Sequence, residues 1–459
     1  AERHLRQSVT LEPENADFHY NLGLILSDQN KVAEAETVYQ EAIFLSPELS
    51  SAHNNLGNIK KRTGRFVEAL KDYRRATEID PNFAPAQRNL ADVHEILGNL
   101  EEAEKAFTVA LNIRPDAATR LRNALLLPVI PDSQDQIIEY RERMMTKLDQ
   151  ILEEGLSLED PVHQVGATNF MLAYHGMNDR DLQRKIADIY RMACPALSFE
   201  ASHCQKRGIG LEGRRIRIGF VSSFFFEHTV ARLMEGLIAG IPNRTFEVIV
   251  YSTCQANNVI SSGIKRTAEK FVMLAGSLAN AHEVIARDEL DILYFCDIGM
   301  EPFSYFLAFA RLAPVQCVTW GHPVTTGIST IDYFISSSLT EPANGGEAYT
   351  ERLIQLDGFV TPIADPSNRS LEDNVSEYAK TQRILCPQSL FKFHPTFDAL
   401  IGKILKHSPN TELILLHGSH DAWTARIEAR FRRSIPEVLD RVKLEPRTNR
   451  VSFMQSIAS

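Results

Sequence analysis

Small, apolar and aromatic positions recur every 34 residues through the first part of the chain. In each unit a leucine is followed by a small residue, further small residues flank an aromatic one, and a proline closes the unit. This order predicts pairs of helices in which small residues allow close approach, the aromatic ring fills the gap and proline ends the second helix. The recurring positions are Leu22, Leu56 and Leu90; Gly23, Gly57 and Ala91; Ala35, Ala69 and Ala103; Tyr39, Tyr73 and Phe107; Ala42, Ala76 and Ala110; and Pro47, Pro81 and Pro115.

This period and this order of residue types are the tetratricopeptide signature. We therefore expect an α-solenoid over residues 1–116. It should contain a partial repeat at 1–15 and full repeats at 16–49, 50–83 and 84–116. Such an array indicates protein binding and by itself implies no chemistry.

One polar position also recurs with this period, on the first helix of each pair, at Asn21, Asn55 and Asn89. A carboxamide both donates and accepts hydrogen bonds, so these side chains can pair with the backbone of an extended peptide. The alternative is that they only bridge neighbouring helices.

Residues 117–210 are predicted to form a mostly helical connector interrupted by prolines. Within it, the segment Asn178–Asp181 contains a D-x-D pair, which holds a divalent metal ion in some enzymes. Because a helical run follows from Leu182 to Met192, the acidic residues are instead expected to cap that helix. We therefore expect no metal site.

The pattern changes to strands alternating with helices from Arg214 onward, which predicts a parallel α/β lobe over residues 211–380. The predicted strands cover 216–221, 247–251 and 291–295, and the predicted helices cover 229–238 and 278–287. Ligands bind at the carboxyl ends of parallel strands. That rule selects the loop containing His228 and the loop containing Asp297 and Gly299.

A second α/β unit is predicted over residues 381–459. Its expected elements are strand 384–386, loop 387–392, helix 395–407 and strand 412–416. Lys392 lies just before the helix, where free backbone N–H groups and a lysine charge suit a phosphate group. A solvated loop lysine is the alternative. Two such units in succession predict two Rossmann-like lobes.

Composition narrows the possible classes of protein. The formal net charge of -10 argues against a general nucleic-acid binder, which normally has a basic face. No apolar run reaches the length needed to cross a bilayer. The 6 cysteines are scattered without a CxxC pair, which is typical of reduced cysteines in a cytoplasmic protein. We therefore expect a cytoplasmic protein with neither nucleic-acid nor membrane partners.

Five stretches of the chain resemble the O-GlcNAc transferase and SPINDLY family, and their sequences are closest to its bacterial members. They cover residues 215–223, 227–234, 313–327, 331–333 and 386–395. The most specific parts are Q-x-x-x-W-G-x-P from Gln316 and L-F-K-x-x-P from Leu390. The resemblance implies a GT-B-type glycosyltransferase with two Rossmann-like lobes behind the repeats.

The resemblance also implies roles for individual residues. His228 falls on the family's active-site histidine, a base or an acceptor-positioning group, and Lys392 on the essential lysine that neutralises the leaving diphosphate. The asparagines fall on the family's concave asparagine ladder. Residues implied to contact the donor are Gly321, Pro323, Thr325, Ser389 and Arg450.

The implied chemistry is transfer of a sugar to Ser or Thr hydroxyl groups of proteins held by the repeats. The donor is expected to be UDP-GlcNAc, with GDP-fucose and UDP-glucose as alternatives, and neither a cofactor nor a metal is expected. The reaction would invert the anomeric centre. A repeat-based adaptor with an inactive transferase lobe is the other hypothesis, and an enzyme acting on small glycans is a third.

Two departures from the family pattern stand out. The donor lobe is expected to be incomplete at its C-terminal end, which predicts weak or no turnover by these 459 residues. In addition, Arg287 and Asp291 occupy the stretch where animal members are expected to place a further active-site histidine.

Overall fold

The computed structural model describes residues 1–205, 213–255, 257–361 and 382–448. These form two compact units. The first contains residues 1–144 together with 382–448, and the second contains residues 145–361.

Seventeen α-helices and ten strands are described in these ranges. The helices are α1 (Glu2–Leu11), α2 (Ala16–Asp28), α3 (Val32–Leu45), α4 (Ser50–Arg62), α5 (Phe66–Ile79), α6 (Ala84–Ile96), α7 (Leu100–Ile113), α8 (Ala117–Ala124), α9 (Gln134–Glu154), α10 (Pro161–Gln164), α11 (Arg180–Ala193), α12 (Thr229–Gly240), α13 (Val259–Thr267), α14 (Leu278–Ala286), α15 (Pro302–Leu307), α16 (Pro395–His407) and α17 (Asp421–Ser434). The strands are β1 (Ile216–Ser222), β2 (Phe246–Ser252), β3 (Lys270–Met273), β4 (Ile292–Phe295), β5 (Val315–Val318), β6 (Tyr333–Ser337), β7 (Arg352–Leu356), β8 (Gln382–Cys386), β9 (Thr411–Leu416) and β10 (Val442–Glu445).

The helical pairs predicted by the 34-residue period are confirmed as α2–α3, α4–α5 and α6–α7. Their close approach depends on the small residues. A Cβ atom added at Gly23 would lie 2.5 Å from the Tyr39 ring, and one added at Gly57 would lie 2.6 Å from the Tyr73 ring. Both tyrosines are fully buried, so each ring fills the space that its glycine leaves.

The second unit contains a seven-stranded sheet in the order β3-β2-β1-β4-β5-β6-β7. Every neighbouring pair is parallel, which confirms the predicted α/β class. One face is closed by α12, whose Val230 and Met234 pack with Phe220 of β1 and Val248 of β2. The strand order reverses at β1, which lies between β2 and β4. The carboxyl ends of β1 and β4 therefore border the crevice where ligands bind in such sheets.

The second α/β lobe has a parallel sheet in the order β10-β9-β8. Its α17 contacts the turn between α6 and α7. The Trp423 indole N–H donates to Ile96 O at 2.7 Å, and the Arg426 guanidinium donates to Leu97 O at 3.2 Å and to Asn99 Oδ1 at 2.8 Å. These donors reach carbonyl groups at the C-terminal end of α6, which have no partner inside the helix.

A buried ion pair joins α16 to α17. The Arg430 guanidinium donates to both carboxylate oxygens of Asp398, at 2.9 and 2.8 Å, and to Pro131 O at 2.8 Å. Both side chains are only 2% exposed. Truncating either partner would leave the other charge buried and unpaired.

Arg430→Ala should therefore destabilise the first unit by about 3–5 kcal/mol, the typical loss when one partner of a buried pair is removed. Arg433→Ala is the matched control. Arg433 lies on the same helix and pairs with Asp132, but its side chain is 59% exposed. Its removal should cost about 1 kcal/mol or less.

Urea unfolding of a Trp320→Phe background would measure this, because Trp423 is then the single tryptophan and reports on the first unit. An equal loss of unfolding free energy in Arg430→Ala and Arg433→Ala would contradict the conclusion that the Arg430–Asp398 pair is buried and stabilising.

Candidate functional site

A buried carboxylate lies at the point where the strand order reverses. Asp297 follows β4 by two residues and is completely buried. Its Oδ2 atom accepts from the hydroxyl of Ser222, the last residue of β1, at 2.8 Å and from the backbone N–H of Ser223 at 3.0 Å. The carboxylate therefore ties the loop after β1 to the loop after β4.

A second carboxylate braces the same loop. The Ser223 hydroxyl donates to Glu301 Oε1 at 2.6 Å and accepts from the Thr253 hydroxyl at 2.7 Å. Glu301 is also the N-cap of α15, accepting from the backbone N–H groups of Phe303 and Ser304. Polar groups from the carboxyl ends of β1, β2 and β4 thus form one network.

Burial raises the pKa of Asp297 from 3.8 to about 7, and the nearby Glu301 carboxylate also raises it. The bonds from Ser222 and Ser223 act in the opposite direction because they stabilise the ionised form. Perturbed carboxyl groups of this kind concentrate at functional sites.

His228 is held at the N-terminus of α12. Its Nδ1 atom accepts from the backbone N–H of Val230 at 3.2 Å, so the ring is the N-cap of the helix. The ring stacks on Phe224 with 4.5 Å between centroids and 29° between planes. Burial lowers its pKa below 6.5, which favours the neutral form.

The cap bond also sets the tautomer. A neutral imidazole that accepts at Nδ1 carries its hydrogen on Nε2. In this geometry Nε2 is a donor and cannot take up a proton. Of the two expected roles for His228, the arrangement favours positioning an acceptor over acting as a base.

The loop containing Gly321 follows β5 and packs closely against the carboxyl end of β4. A Cβ atom at Gly321 would lie 1.7 Å from Cys296 O, so only glycine allows this approach to the β4 end. The adjoining His322 is buried, stacks on Phe170 and donates from Nε2 to Phe170 O at 3.1 Å. Gly299, at φ +95, packs against the His322 ring. Pro323, like Gly321, is expected to contact the nucleotide-sugar donor, and its side chain is exposed.

Thr325 is buried and takes part in a separate network. Its hydroxyl donates to Glu351 Oε2 at 2.6 Å, and the backbone N–H of Thr326 donates to Glu351 Oε1 at 2.8 Å. The Thr325 oxygen also accepts from the backbone N–H of Thr350 at 2.9 Å. Sequence reasoning missed Glu351, because it belongs to no motif or periodic position. Here Thr325 shapes its own loop, and its expected contact with the donor remains a prediction.

The expected phosphate-binding residues lie in the first unit. Leu390–Lys392 form one turn of 3-10 helix, and the Lys392 N–H donates to Ser389 O at 2.9 Å. Lys392 is exposed, and α16 begins three residues later at Pro395. The predicted position beside a helix N-terminus is confirmed, whereas phosphate binding remains a prediction. Arg450 lies outside the described residues.

The three repeat asparagines differ in their surroundings. Asn21 is exposed. The Asn55 amide donates to the Tyr20 hydroxyl at 3.4 Å, and the Asn89 amide donates to Asn54 Oδ1 of the preceding repeat at 2.9 Å. Bridging between helices therefore occurs at two of the positions. Peptide contact remains a prediction.

The prediction that acidic side chains cap α11 is wrong, because the accepting side chain is that of an asparagine. Asp179 is the N-cap, but its side chain makes no capping bond. Instead Asn178 Oδ1 accepts from the backbone N–H of Arg180 at 2.9 Å. Asn178 is one residue earlier, and its short side chain reaches the first free N–H group. Within the described ranges no group of three His, Cys, Asp or Glu residues is placed to hold a metal ion.

Asp291 lies at the amino end of β4, at the opposite end of the strand from Asp297. Both of its oxygens accept from Arg214 at 2.6 Å, and it also accepts from the backbone N–H of Arg217 at 2.8 Å. These contacts make it part of the sheet's structural framework.

All six cysteines are free thiols. The described helices include none long and apolar enough to span a bilayer.

Replacing Asp297 by Asn should change how stability depends on pH. Because folding raises the pKa of this group, the unfolded chain loses its proton first, and stability falls as the pH rises from about 4 to about 7. The full penalty above that window is on the order of 4 kcal/mol, at 1.36 kcal/mol per unit of pKa. Asparagine cannot ionise, so this fall should disappear.

Urea unfolding in a Trp423→Phe background, where Trp320 reports on the second unit, would follow it. Asp357→Asn, which changes an exposed carboxylate outside the network, is the control. Parallel pH profiles for wild type and Asp297→Asn would contradict the account.

Comparison with known families matches two kinds of sequence model. Residues 139–361 match glycosyl transferase family 41, and residues 1–50 and 48–116 match tetratricopeptide repeat models. A solved mutant O-GlcNAc transferase from Thermobaculum terrenum superposes with a TM-score of 0.64 at 22% identity, covering 96% of this chain and 76% of that one. At this identity the likeness supports the fold.

Curated relatives cover smaller parts of the chain. A probable UDP-N-acetylglucosamine–peptide N-acetylglucosaminyltransferase, SEC, from Arabidopsis thaliana is 29% identical over 53% of this chain and 25% of its own length. The corresponding protein of Caenorhabditis elegans is 32% identical over 31% of this chain and 13% of its own length. A SPINDLY protein of Petunia hybrida is 29% identical over 33% of this chain and 17% of its own length.

The match spans a quarter or less of each of these relatives. This chain nevertheless combines tetratricopeptide repeats with a family 41 region. Its fold resembles that of a solved O-GlcNAc transferase. Residues 139–361 therefore form a glycosyl transferase family 41 region behind tetratricopeptide repeats, and the chain is similar to O-GlcNAc transferase and SPINDLY proteins.

Proposed function

We propose that this protein transfers a sugar from a nucleotide donor to Ser or Thr hydroxyl groups of proteins that its repeats hold. The main support is that one chain joins tetratricopeptide repeats, a fold typical of protein binding, to a family 41 region. The names of the relatives make UDP-GlcNAc the favoured donor. GDP-fucose and UDP-glucose are the alternatives to be tested.

In the proposed reaction the acceptor hydroxyl oxygen attacks the anomeric carbon, and the bond to the nucleotide diphosphate breaks with its electron pair leaving on the diphosphate. The hydroxyl proton passes to an oxygen of the departing diphosphate, because His228 in this tautomer cannot accept it. Attack from the opposite face inverts the anomeric centre. His228 contributes a fixed Nε2–H donor, because Nδ1 is engaged by the N–H of Val230. That donor orients an acceptor oxygen, since orientation alone lowers the barrier substantially.

Negative charge develops on the leaving diphosphate. We propose that Lys392 and the N-terminus of α16 stabilise it. Lys392 supplies a full positive charge, and the N-terminus of the 13-residue helix α16 lies close behind it in sequence. The positive end of the helix dipole and a lysine charge stabilise such a charge without a metal ion. This metal-free route is part of the proposal.

Protein acceptors are proposed to lie along the first helices of the repeats. An extended peptide leaves its backbone groups free, and carboxamides satisfy them regardless of peptide sequence. Asn21 is the most accessible of the three, while Asn55 and Asn89 would exchange their present partners for the peptide.

The transferase activity is tested by mixing the protein with a Ser/Thr peptide library and each of the three nucleotide sugars in EDTA. Mass shifts of one sugar on the peptides are the readout. Lys392→Ala should lower the rate about 100-fold or more, the usual effect of removing a group that stabilises developing negative charge. Lys403→Ala, an exposed lysine on α16, is the matched control and should retain the rate.

Transfer that disappears in EDTA and returns with a divalent cation would contradict the metal-free route. No transfer from any donor, with peptide binding intact, would favour the adaptor hypothesis instead.

The acceptor surface is tested with the double variant Asn21→Ala/Asn55→Ala. Loss of two hydrogen bonds of about 1 kcal/mol each should weaken binding of a library peptide at least tenfold by calorimetry. Asn82→Ala, in the exposed turn before α6, should bind as the wild type does. Unchanged affinity in the double variant would leave the asparagines as helix-bridging residues only.

A further inference from the structure

We propose that Asp297 is a positioning residue for His228, acting through Ser222 and the stacked ring of Phe224. The proposal rests on the proposed function insofar as His228 serves the acceptor. It assigns a purpose to a buried carboxylate that contacts neither substrate nor His228 itself.

The first link is the anchor. Asp297 is completely buried at the end of β4, a strand held between β1 and β5. The glycine contact between Gly321 and Cys296 O closes the space beside it. A carboxylate in such a place has little freedom to move, so its oxygens are fixed reference points.

The second link is the Ser222 hydroxyl, which has one hydrogen. That hydrogen is directed to Asp297 Oδ2 at 2.8 Å, which leaves the oxygen lone pairs to accept from the backbone N–H of Phe224 at 2.8 Å. The backbone N–H groups of Phe224 and Ser223 can only donate, and Asp297 Oδ2 accepts from Ser223 as well as from Ser222, so the ionised form of Asp297 determines the direction of both Ser222 bonds. Asp297 therefore fixes the backbone of Phe224 through Ser222, and it also holds Ser223, the residue between them, through that residue's backbone N–H.

The third link is ring stacking. Phe224 lies against the imidazole of His228 with centroids 4.5 Å apart, and the N–H of Val230 holds the ring at Nδ1. One face and one nitrogen of His228 are thus fixed, which orients Nε2. Phe224 is itself partly buried against the apolar core below α12, so the stack has a firm support.

The readout is the pKa and tautomer of His228, measured by NMR on the whole chain with labelled histidines. A His228→Gln variant identifies the signal among the 14 histidines. Ser222→Ala breaks the link while leaving the carboxylate in place. We expect the His228 pKa to rise by about half a pH unit toward its ordinary value, because the loosened stack admits water.

Asp297→Asn keeps an oxygen that can accept from both Ser222 and Ser223, and we expect the wild-type pKa and tautomer for His228. Asp297→Ala removes the acceptor and should behave like Ser222→Ala. Asp332→Asn is the matched control. This aspartate precedes β6 at the amino end of the same sheet and pairs with Arg311, far along the strands from His228.

An unchanged His228 signal in Ser222→Ala and in Asp297→Ala, in folded protein, would overturn the proposal. If Asp297→Ala does not fold, the His228 signal of Ser222→Ala is sufficient to test the proposal. In the transfer assay, the same variants should lower kcat while leaving the donor KM unchanged. A shifted His228 signal with no sugar transfer by the wild type would retain the positioning role and refute the proposed function.

Discussion

The arrangement of the second unit depends on the position of β1 between β2 and β4. The carboxyl ends of parallel strands lie at one edge of the sheet. The reversal of strand order opens a crevice at that edge. Polar groups at that edge are buried by the neighbouring loops, so they must bond to one another. Asp297 and Glu301 meet this requirement with Ser222, Ser223 and Thr253. The same hydrogen bonds give the loop leading to His228 a defined shape. The bonds that satisfy the buried polar groups therefore also organise the site.

In the first unit a comparable constraint acts at helix ends. The carbonyl groups at the C-terminus of α6 need donors, and α17 supplies them through Trp423 and Arg426. A short turn after α6 makes this possible, because Gly98 adopts φ +78 and leaves room for the Arg426 side chain. The repeats and the second α/β lobe are therefore joined by directional hydrogen bonds. Arg430, which pairs with Asp398 inside the lobe, adds a bond to Pro131 O of the segment between α8 and α9.

Much of the fold could be predicted from the sequence where a period or a motif was present. The repeat helices follow from the 34-residue spacing, and the longer strands β1, β2 and β9 follow from apolar runs. Four strands of the larger sheet, β3, β5, β6 and β7, have only four or five residues and leave no periodic signal. In the site, Asp297 was selected by the strand-end rule. Glu301 and Glu351 were missed, because their roles arise from contacts with residues 78 and 26 positions away.

We propose that the family 41 region and the repeats together modify protein hydroxyl groups. Intact-mass analysis would test this with one repeat-binding peptide in two versions, with Ser or with Ala at the acceptor position, after incubation with UDP-GlcNAc. We expect addition of a single GlcNAc to the Ser peptide and none to the Ala peptide. Equal modification of both peptides, or sugar released to water or to a small glycan with neither peptide modified, would contradict it.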